Sequence, residues 1–499
     1  MQIQTIGHAS IFVETQDCRI IMDPILFSPH AEGIEDICPK REVILENIPE
    51  FDLLIISHRH LDHFDIRSLA ALPKDVDVLI PQDKLLKDCL TKLGYSNIYM
   101  LKDADEVKIG STRLLVTRSE NRVPEYGILF ADPSGVFWNQ VDSVVSLDTI
   151  NFVRSKYPQI DFLLAPWQPM LETNYQNNES LSFPYVEYNN LLENISLIRP
   201  KAIAPGANGF KLVDGSAWLN QVVFPVSREQ FCRDVAITCP EVKDNVFALD
   251  PGDILAFERD EFSYMPEKST FVRKLESDRQ ELQFSPVNVG LSIIDQNTDN
   301  YDVYEMQAVI EEEINSELPK FLAENKDTFV EYYRWQVVYQ LEVIFPDCIR
   351  YWSLDFSQTD VEITPGKSSL ANFLTTITAS SFYGLIKQFK GWDFAHLGGN
   401  FRSYKKIYVA TSMGIAIPHE RQIADLFDLR FPPKEAFENA RIHEVEQWQP
   451  AEDKEKERQN NETVMMKLGN TYIRLLKDSK TKTNDDAKPS ETLELVFES

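Results

Sequence analysis

The chain has 499 residues, 43% of them hydrophobic, and a formal net charge of −28. One hydrophobic core stops growing at about 250–300 residues, so this length calls for at least two. So acidic a surface repels nucleic acid and anionic membranes, which excludes both as general partners. The six cysteines (Cys18, Cys38, Cys89, Cys232, Cys239, Cys348) are scattered with no C-x-x-C pair. That argues against a disulfide framework and against a structural zinc knuckle. The opening MQIQTIGHAS has no basic run, and no segment reaches the length of a membrane span. A cytoplasmic, reduced protein is expected.

In chain order, residues 1–260 alternate short β-rich runs with turns and a few helices. SIFVET, CRIIMDP, DLLIIS, VDVLIP, TRLLVT, YGILFAD, GVFWNQ, DFLLAPW and PKAIAPG read as strands. They are short, rich in Val, Ile, Leu and Phe, and bounded by turn residues. DIRSLAAL, DKLLKDCLTKLG and YVEYNNLLENISLI place apolar residues three and four apart, which predicts helices. Gly94 ends the second as a helix C-cap would. The mixture predicts an α/β layered sandwich.

Residues 261–300 are polar and read as a linker. Residues 301–440 then predict a smaller α+β domain. DVYEMQAVIEEEINSELPKFLAEN is an amphipathic helix, and RWQVVYQLEVIF, IRYWSLDF and DVEITP are antiparallel strands. LANFLTTITASSFYGLIKQF reads as helical, and KKIYVAT as a last strand. Residues 441–499 form a charged tail low in aromatics, solvated and partly disordered by composition. Within it, VMMKLGNTYIRLL is positioned to dock as a short element.

The chemistry concentrates in LLIISHRHLDHFD, residues 53–65, where three of the eight histidines follow an apolar strand. His58 and His60 are two apart and can grip one cation. Asp62 and His63 point to a second position about 3.5–4 Å away, the usual spacing of two-metal sites. Imidazole with carboxylate suits zinc, iron or manganese. A purely polar loop is disfavoured, because clustered His and Asp without a metal carry a desolvation cost.

SHRHLDHFD matches in full the H-x-H-x-D-H signature of the metallo-β-lactamase superfamily, which the sequence resembles over about residues 1–255. TIGHASIFVE followed by RIIMDPIL is similar to the opening of the branch holding N-acyl-phosphatidylethanolamine phospholipase D and the ascorbate-lactonase-like hydrolases. VFWNQVDS and RPKAIAPGANGF resemble segments in the lactamase-like part of CMP-N-acetylneuraminate hydroxylase. The resemblance implies an αββα sandwich with Asp142 as a bridging carboxylate. It makes His8, in GHAS, a site wall or a residue that orients a ligand, and Asp23, in MDP, a support for a ligating imidazole. For each the plainer alternative stands: a satisfied core histidine and a turn residue.

The same pattern implies two further histidines that this chain lacks. After His63 the next histidine is His396. Aligned on Asp142, the first missing ligand falls at Asn121 and the second within PGANG. The supported metal ligands are therefore His58, His60, Asp62, His63 and Asp142, with Asp62 and Asp142 also the candidate catalytic carboxylates. The remainder must come from Glu120, Asn121, Glu125, Asn208 or water. Glu120 is the first expectation and Glu125 the second, because some diiron oxygenases of the superfamily replace that histidine by a carboxylate. Alternatively Arg122 fills the space. A two-metal site, a single-metal site and a vestigial site all stay open.

Residues 300–416 weakly resemble a sterol-carrier-protein fold, which implies shelter for an apolar chain; the plain reading of FLTTITASSFYGLI is a core helix. The sialic-acid hydroxylase carries a Rieske cluster, which needs C-x-H and C-x-x-H, and this chain has neither. The leading expectation is a metal-dependent hydrolase of an ester, phosphoester, sulfate ester, lactone or amide, using one or two divalent ions. A diiron oxygenase with a separate electron-transfer partner is the second, and a binding protein with a decayed site the third. A small-molecule or apolar-chain substrate is implied throughout, and a homo-oligomer is compatible.

Overall fold

The computed structural model describes residues 1–288, 293–358, 360–419, 422–449 and 465–474. Two eight-stranded sheets stack face to face. The first runs, in spatial order, Glu261–Met265, Ile254–Glu258, Gln2–Gly7, Ser10–Glu14, Arg19–Met22, Leu53–Ile55, Asp77–Ile80 and Asn97–Met100. The second runs Ala202–Pro205, Phe162–Ala165, Gly135–Asn139, Tyr126–Asp132, Thr112–Arg118, Glu106–Ile109, Thr471–Arg474 and Met465–Leu468.

Strand alternation builds the layers. Ile11, Val13, Leu53 and Ile55 enter the core between the sheets, together with Ile128 and Phe130 from the facing sheet. Phe12, Leu54 and Ile56 turn outward and are covered by Leu69, Leu86 and Leu90 of helices Ile66–Ala71 and Lys84–Lys92. Leu129 and Ala131 turn to the opposite outer face, under helices Leu147–Lys156, Tyr185–Ile198 and Arg228–Thr238. The result is a four-layer αββα sandwich. Its helices start where the sequence supplies caps: Asp83 accepts from the N–H groups of Leu85 and Leu86, and Gly94 takes a φ of 98° past the helix end.

Residues 301–440 have their own core around a five-stranded sheet, ordered Glu362–Pro365, Ile349–Asp355, Val338–Ile344, Phe373–Thr378 and Phe401–Lys405. Here the structure corrects two expectations. The run expected as one helix is a strand over Phe373–Thr378 and a helix only over Ala379–Lys387. The β-branched Thr-Thr-Ile-Thr run favours a pleated, half-buried surface, and it lies between two strands; the Thr378 hydroxyl accepts from Ser381 N–H and starts the helix. The expected final strand KKIYVAT is displaced likewise. Phe401–Lys405 takes the sheet edge, and Val409–Thr411 pairs with Gly414–Ala416 in an exposed hairpin.

The chain is more interwoven than its composition suggests. The hairpin Ile254–Glu258/Glu261–Met265 runs across residue 260, and Val272–Lys274, within the expected linker, pairs with Arg41–Val43. Helix Pro433–Trp448 runs past residue 440. Its Val445 joins the apolar cluster under the first sheet. Strand Thr471–Arg474 pairs parallel with Glu106–Ile109, so the end of the chain extends the second sheet. The charged stretches 450–464 and 475–499 lie outside the described residues.

Candidate metal centre

The histidine loop leaves strand Leu53–Ile55 and closes into helix Ile66–Ala71, whose N-cap Asp65 accepts from Ser68 N–H. Between them His63 N–H and Phe64 N–H both donate to the His60 carbonyl, at 3.0 and 2.8 Å. This tight turn points several side chains one way. His58 and His63 are buried, and Asp62 and Asp142 are partly exposed.

Asp23 organises the loop from beneath. It follows strand Arg19–Met22 with a φ of 45° and is fully buried. One carboxylate oxygen accepts Ser57 N–H at 2.7 Å; the other accepts the Ser57 hydroxyl at 2.6 Å and faces His63 Nδ1 at 3.0 Å. Asp23 thus holds a proton on His63 Nδ1, so Nε2 is the nitrogen that a cation would take, displacing the proton it otherwise carries. The Ser57 hydroxyl, having donated to Asp23, accepts from His58 Nδ1 at 3.0 Å, which frees His58 Nε2. A carboxylate or hydroxyl behind each imidazole is what fixes the tautomer of metal-binding histidines.

The freed atoms converge. His63 Nε2 lies 3.4 Å from Asp62 Oδ2 and 3.7 Å from Asp142 Oδ2, and His58 Nε2 lies 3.6 Å from Asp142 Oδ2 and 2.9 Å from His60 Nδ1. Among the described residues, two trios have ligand atoms within 4.8 Å of one another: His8, Asp62 and His63, and His58, His63 and Asp142. Burial opposes charge on His63, but the Asp62 and Asp142 carboxylates outweigh it and hold its pKa well above the usual imidazole value. Burial depresses the pKa of His58.

His8 enters the centre more closely than a wall residue would. It sits at a φ of 51° after Gly7, and its Nε2 lies 3.0 Å from Asp62 Oδ2 and 3.3 Å from His63 Nε2. Gly209 N–H donates to His8 Nδ1 at 3.2 Å. The remaining ring proton of neutral His8 therefore sits on Nε2, which makes His8 the donor that fixes Asp62. Glycine suits that approach, because a Cβ at 209 would stand 3.1 Å from the His8 backbone and push it by a few tenths of an ångström.

Asp142 follows strand Gly135–Asn139 through a bend at Val141, whose φ is 56° and whose N–H is held by the Asn139 side chain at 3.0 Å. Asp142 Oδ1 is buried and has no hydrogen-bond partner. Glu125 also turns inward. It is 7% exposed, its Oε2 accepts from Asn121 Nδ2 at 2.7 Å, and its Oε1 is buried without a partner. Burial first, and the charge of Asp142 second, raise its pKa. Two buried carboxylate oxygens lacking donors, beside converging imidazole and carboxylate ligand atoms, are what a bound cation relieves, so the residues present fit a metal.

Glu120 does not join them. It pairs with Arg118 at 2.9 Å on the surface, and Val144 O holds its N–H at 2.8 Å. Asn121 and Arg122 are exposed, and among the described residues no arginine pairs with Asp62 or Asp142. Asn208, with a φ of 68°, lies in the loop next to Gly209 and lines a separate cavity beside His8.

Sequence reasoning missed the contribution of the second unit. Leu61, between two metal-loop ligands, packs in one apolar cluster with Phe394, Leu397 and Phe437. Arg59 is held by Asp83 at 2.5 and 2.7 Å and lies 3.8 Å from Glu438. No local pattern signals contacts across more than 300 residues.

Residues 2–138 match the Beta-lactamase superfamily domain. The αββα sandwich is the fold the histidine motif implied. A Mycobacterium tuberculosis protein named as a Rieske 2Fe-2S iron-sulfur protein is 26% identical over 188 residues, 34% of this chain and 36% of that one. The chain thus matches about a third of the length of that relative. A UPF0282 protein of Sulfolobus acidocaldarius is 24% identical over 270 residues, 44% of this chain and 87% of its own. Among solved structures, an isothiocyanate hydrolase from Delia radicum gut bacteria is 15% identical with a TM-score of 0.39, covering 52% of this chain and all of that one. CmlA, a diiron beta-hydroxylase from Streptomyces venezuelae, is 16% identical with a TM-score of 0.38, covering 53% of this chain and 54% of its own. These likenesses assign no chemistry to this chain.

Proposed function

We propose that this protein is a metal-dependent hydrolase that cleaves an ester, phosphoester, sulfate ester or amide. The observation that carries the reading is the convergence of His58 Nε2, His63 Nε2 and Asp142 Oδ2, the two imidazoles each oriented by a partner on Nδ1. His58, His60, His63 and Asp142 would hold one ion, with Asp62 and Glu125 as further carboxylates. A bound ion of this kind supplies a Lewis acid and a water acidified toward neutral pH. The chain's own residues do the rest. Asp23 and Ser57 keep the ring protons on the far nitrogens of His63 and His58. His8 fixes Asp62. Glu125 Oε1, which accepts no hydrogen bond and whose carboxyl burial pushes up, is the oxygen at which a proton can be held.

His63 belongs to both trios, and one Nε2 lone pair serves one ion. This supports a centre with one dominant ion, the second position being left to Asp62 with fewer ligands. The test is metal content after purification. Zinc or manganese at about one ion per chain is the expected result, and His58→Ala with His60→Ala should remove it while the fold survives. Metal retained by the double variant would end the assignment. One observation favours a second reading, a diiron oxygenase with a separate electron donor: Glu125, four residues after Asn121, where the family pattern has a histidine, is turned inward, and carboxylate suits iron. Two irons in anaerobically purified protein would select that reading. No metal under either condition would leave a binding protein.

A further inference from the structure

Next to the metal centre lies a cavity of about 410 Å³, within the size range of small-molecule sites. Its walls are largely apolar, with Leu164, Trp167, Phe224, Val226 and Leu249 among them. Two groups of polar residues break that surface. His8 is shared with the metal centre, where it holds Asp62, and Asn208 precedes the Gly209 N–H that holds His8. Trp167 ties the wall to the same loop, its Nε1 donating to Ala207 O at 2.6 Å.

The second group is charged. In a chain of net charge −28, the charged lining of this cavity is two arginines and one glutamate. Arg228 is saturated: Nη1 meets Asp250 at 2.6 Å and the Ala248 and Leu249 carbonyls at 3.2 Å, and Nε and Nη2 meet Glu229. The Glu229 side chain is half exposed and already engaged by Arg228. Arg279 differs. Its Nη2 also meets Asp250, but its Nε and Nη1 have no partner among the described residues. Asp250 is already shared with Arg228 and with Lys274 at 3.1 Å. Arg228 also holds Glu229 and Lys274 also holds Glu267 at 2.8 Å, whereas Arg279 has Asp250 alone, which leaves its Nε and Nη1 to offer an anion.

We infer that this cavity binds an anionic amphiphile, its apolar body against Leu164, Trp167 and Val226 and its anionic group on Arg279. Carboxylate and phosphate share the chemistry that a guanidinium recognises. Resting on the hydrolase reading, the inference makes this molecule the substrate or product, reaching the metal centre past His8, the residue the cavity and the centre share.

The test is calorimetric binding of decanoate, decyl phosphate and decanol to the full chain, with acetate as control. At least one decyl anion should bind in the micromolar range, at least tenfold tighter than decanol, and acetate should not bind. Carboxylate against phosphate preference names the anion. Arg279→Gln should weaken the decyl anion about tenfold, the scale of one charge-assisted hydrogen bond, and leave decanol unchanged. Leu282→Trp, which narrows the cavity from its covering segment, should weaken both. Equal binding of decanol and the anions, or binding that neither variant alters, would overturn the inference, as would no binding at millimolar concentration. The His58→Ala, His60→Ala variant separates the two readings. Binding retained there, with metal lost, supports the cavity assignment on its own. A wild-type chain that holds no metal but binds decanoate defeats only the hydrolase.

Discussion

A histidine grips a cation only through a nitrogen without a proton, so the residue that fixes the tautomer of His63 matters as much as His63 itself. Asp23 has that role here, and it touches none of the convergent atoms. Asp23→Ala should weaken metal binding about 10–100-fold with the ligand set intact, a chelator competition being the measurement. Unchanged affinity would show that the imidazoles are oriented by packing alone. A second residue sets a pH limit. Burial pushes His30 down to about 4 from an ordinary value of 6.5, with Glu35 at 3.2 Å. The fold therefore favours neutral His30. Its stabilising contribution is complete above pH 6.5 and is lost as pH falls toward 4, by about 3 kcal/mol. His30→Gln should flatten the decline of the urea midpoint over that window, and parallel declines would refute it.

At this scale legibility followed locality. His58, His60, Asp62 and His63 share one short loop, so their spacing alone announces a cluster. Choosing between Glu120 and Glu125 needed geometry. The turn at residues 119–124 breaks strand alternation, and Arg118 is at hand to hold Glu120 outside. Ser57, the relay between Asp23 and two histidines, gave no sign in sequence beyond its place in the motif.

Among the elements, the strands of the sandwich were legible because they are short, apolar and bracketed by turn residues. The run at 373–387 was not, because apolar spacing of three and four also fits a buried strand followed by a short helix. The hairpin at 465–474 needed a partner 365 residues away, Thr471 lying opposite Glu106. Arg474 on it reaches Asp77 Oδ2 at 2.9 Å and Asp52 Oδ1 at 3.6 Å, so the hairpin belongs to the second sheet and is anchored to the first. Asp77 is 1% exposed, and burial lifts its carboxyl to about 6 against the pull of Arg474. Arg474→Ala strands that carboxyl and should cost about 3 kcal/mol in chemical denaturation. Asp77→Asn in the same chain should restore most of the loss. A single variant as stable as wild type would show the hairpin to be ornamental.

Across the whole molecule, the second unit is bolted to the first around Glu32. Arg441 pairs with its carboxylate, Gly391 N–H donates to it at 2.9 Å, and Lys390 Nζ donates to its carbonyl at 2.7 Å. Next to this clasp, Phe394 closes over Leu61. Phe394→Ala should cost about 3 kcal/mol and speed metal loss to a chelator, although Phe394 is not among the converging ligand residues. Unaltered release kinetics would confine its role to stability.

The two spacer positions of the H-x-H-x-D-H loop bear on how this chain can be dissected. Arg59 and Leu61 are free to vary in the motif, yet here each is gripped from outside it, by Asp83 and Glu438 and by Phe394 and Phe437. A protein shortened near residue 300 would keep every proposed ligand, and Asp83 on Arg59, and still lose the apolar cover on Leu61 and the Glu438 contact of Arg59. It would also bare Ile34 and Leu61 to water. The matched segment is thus not a detachable cassette: its catalytic competence, in the hydrolase reading, is a property of the joined halves. Swapping it into another scaffold would carry over the motif with Asp23 and Ser57 behind it, but not the apolar cover on Leu61.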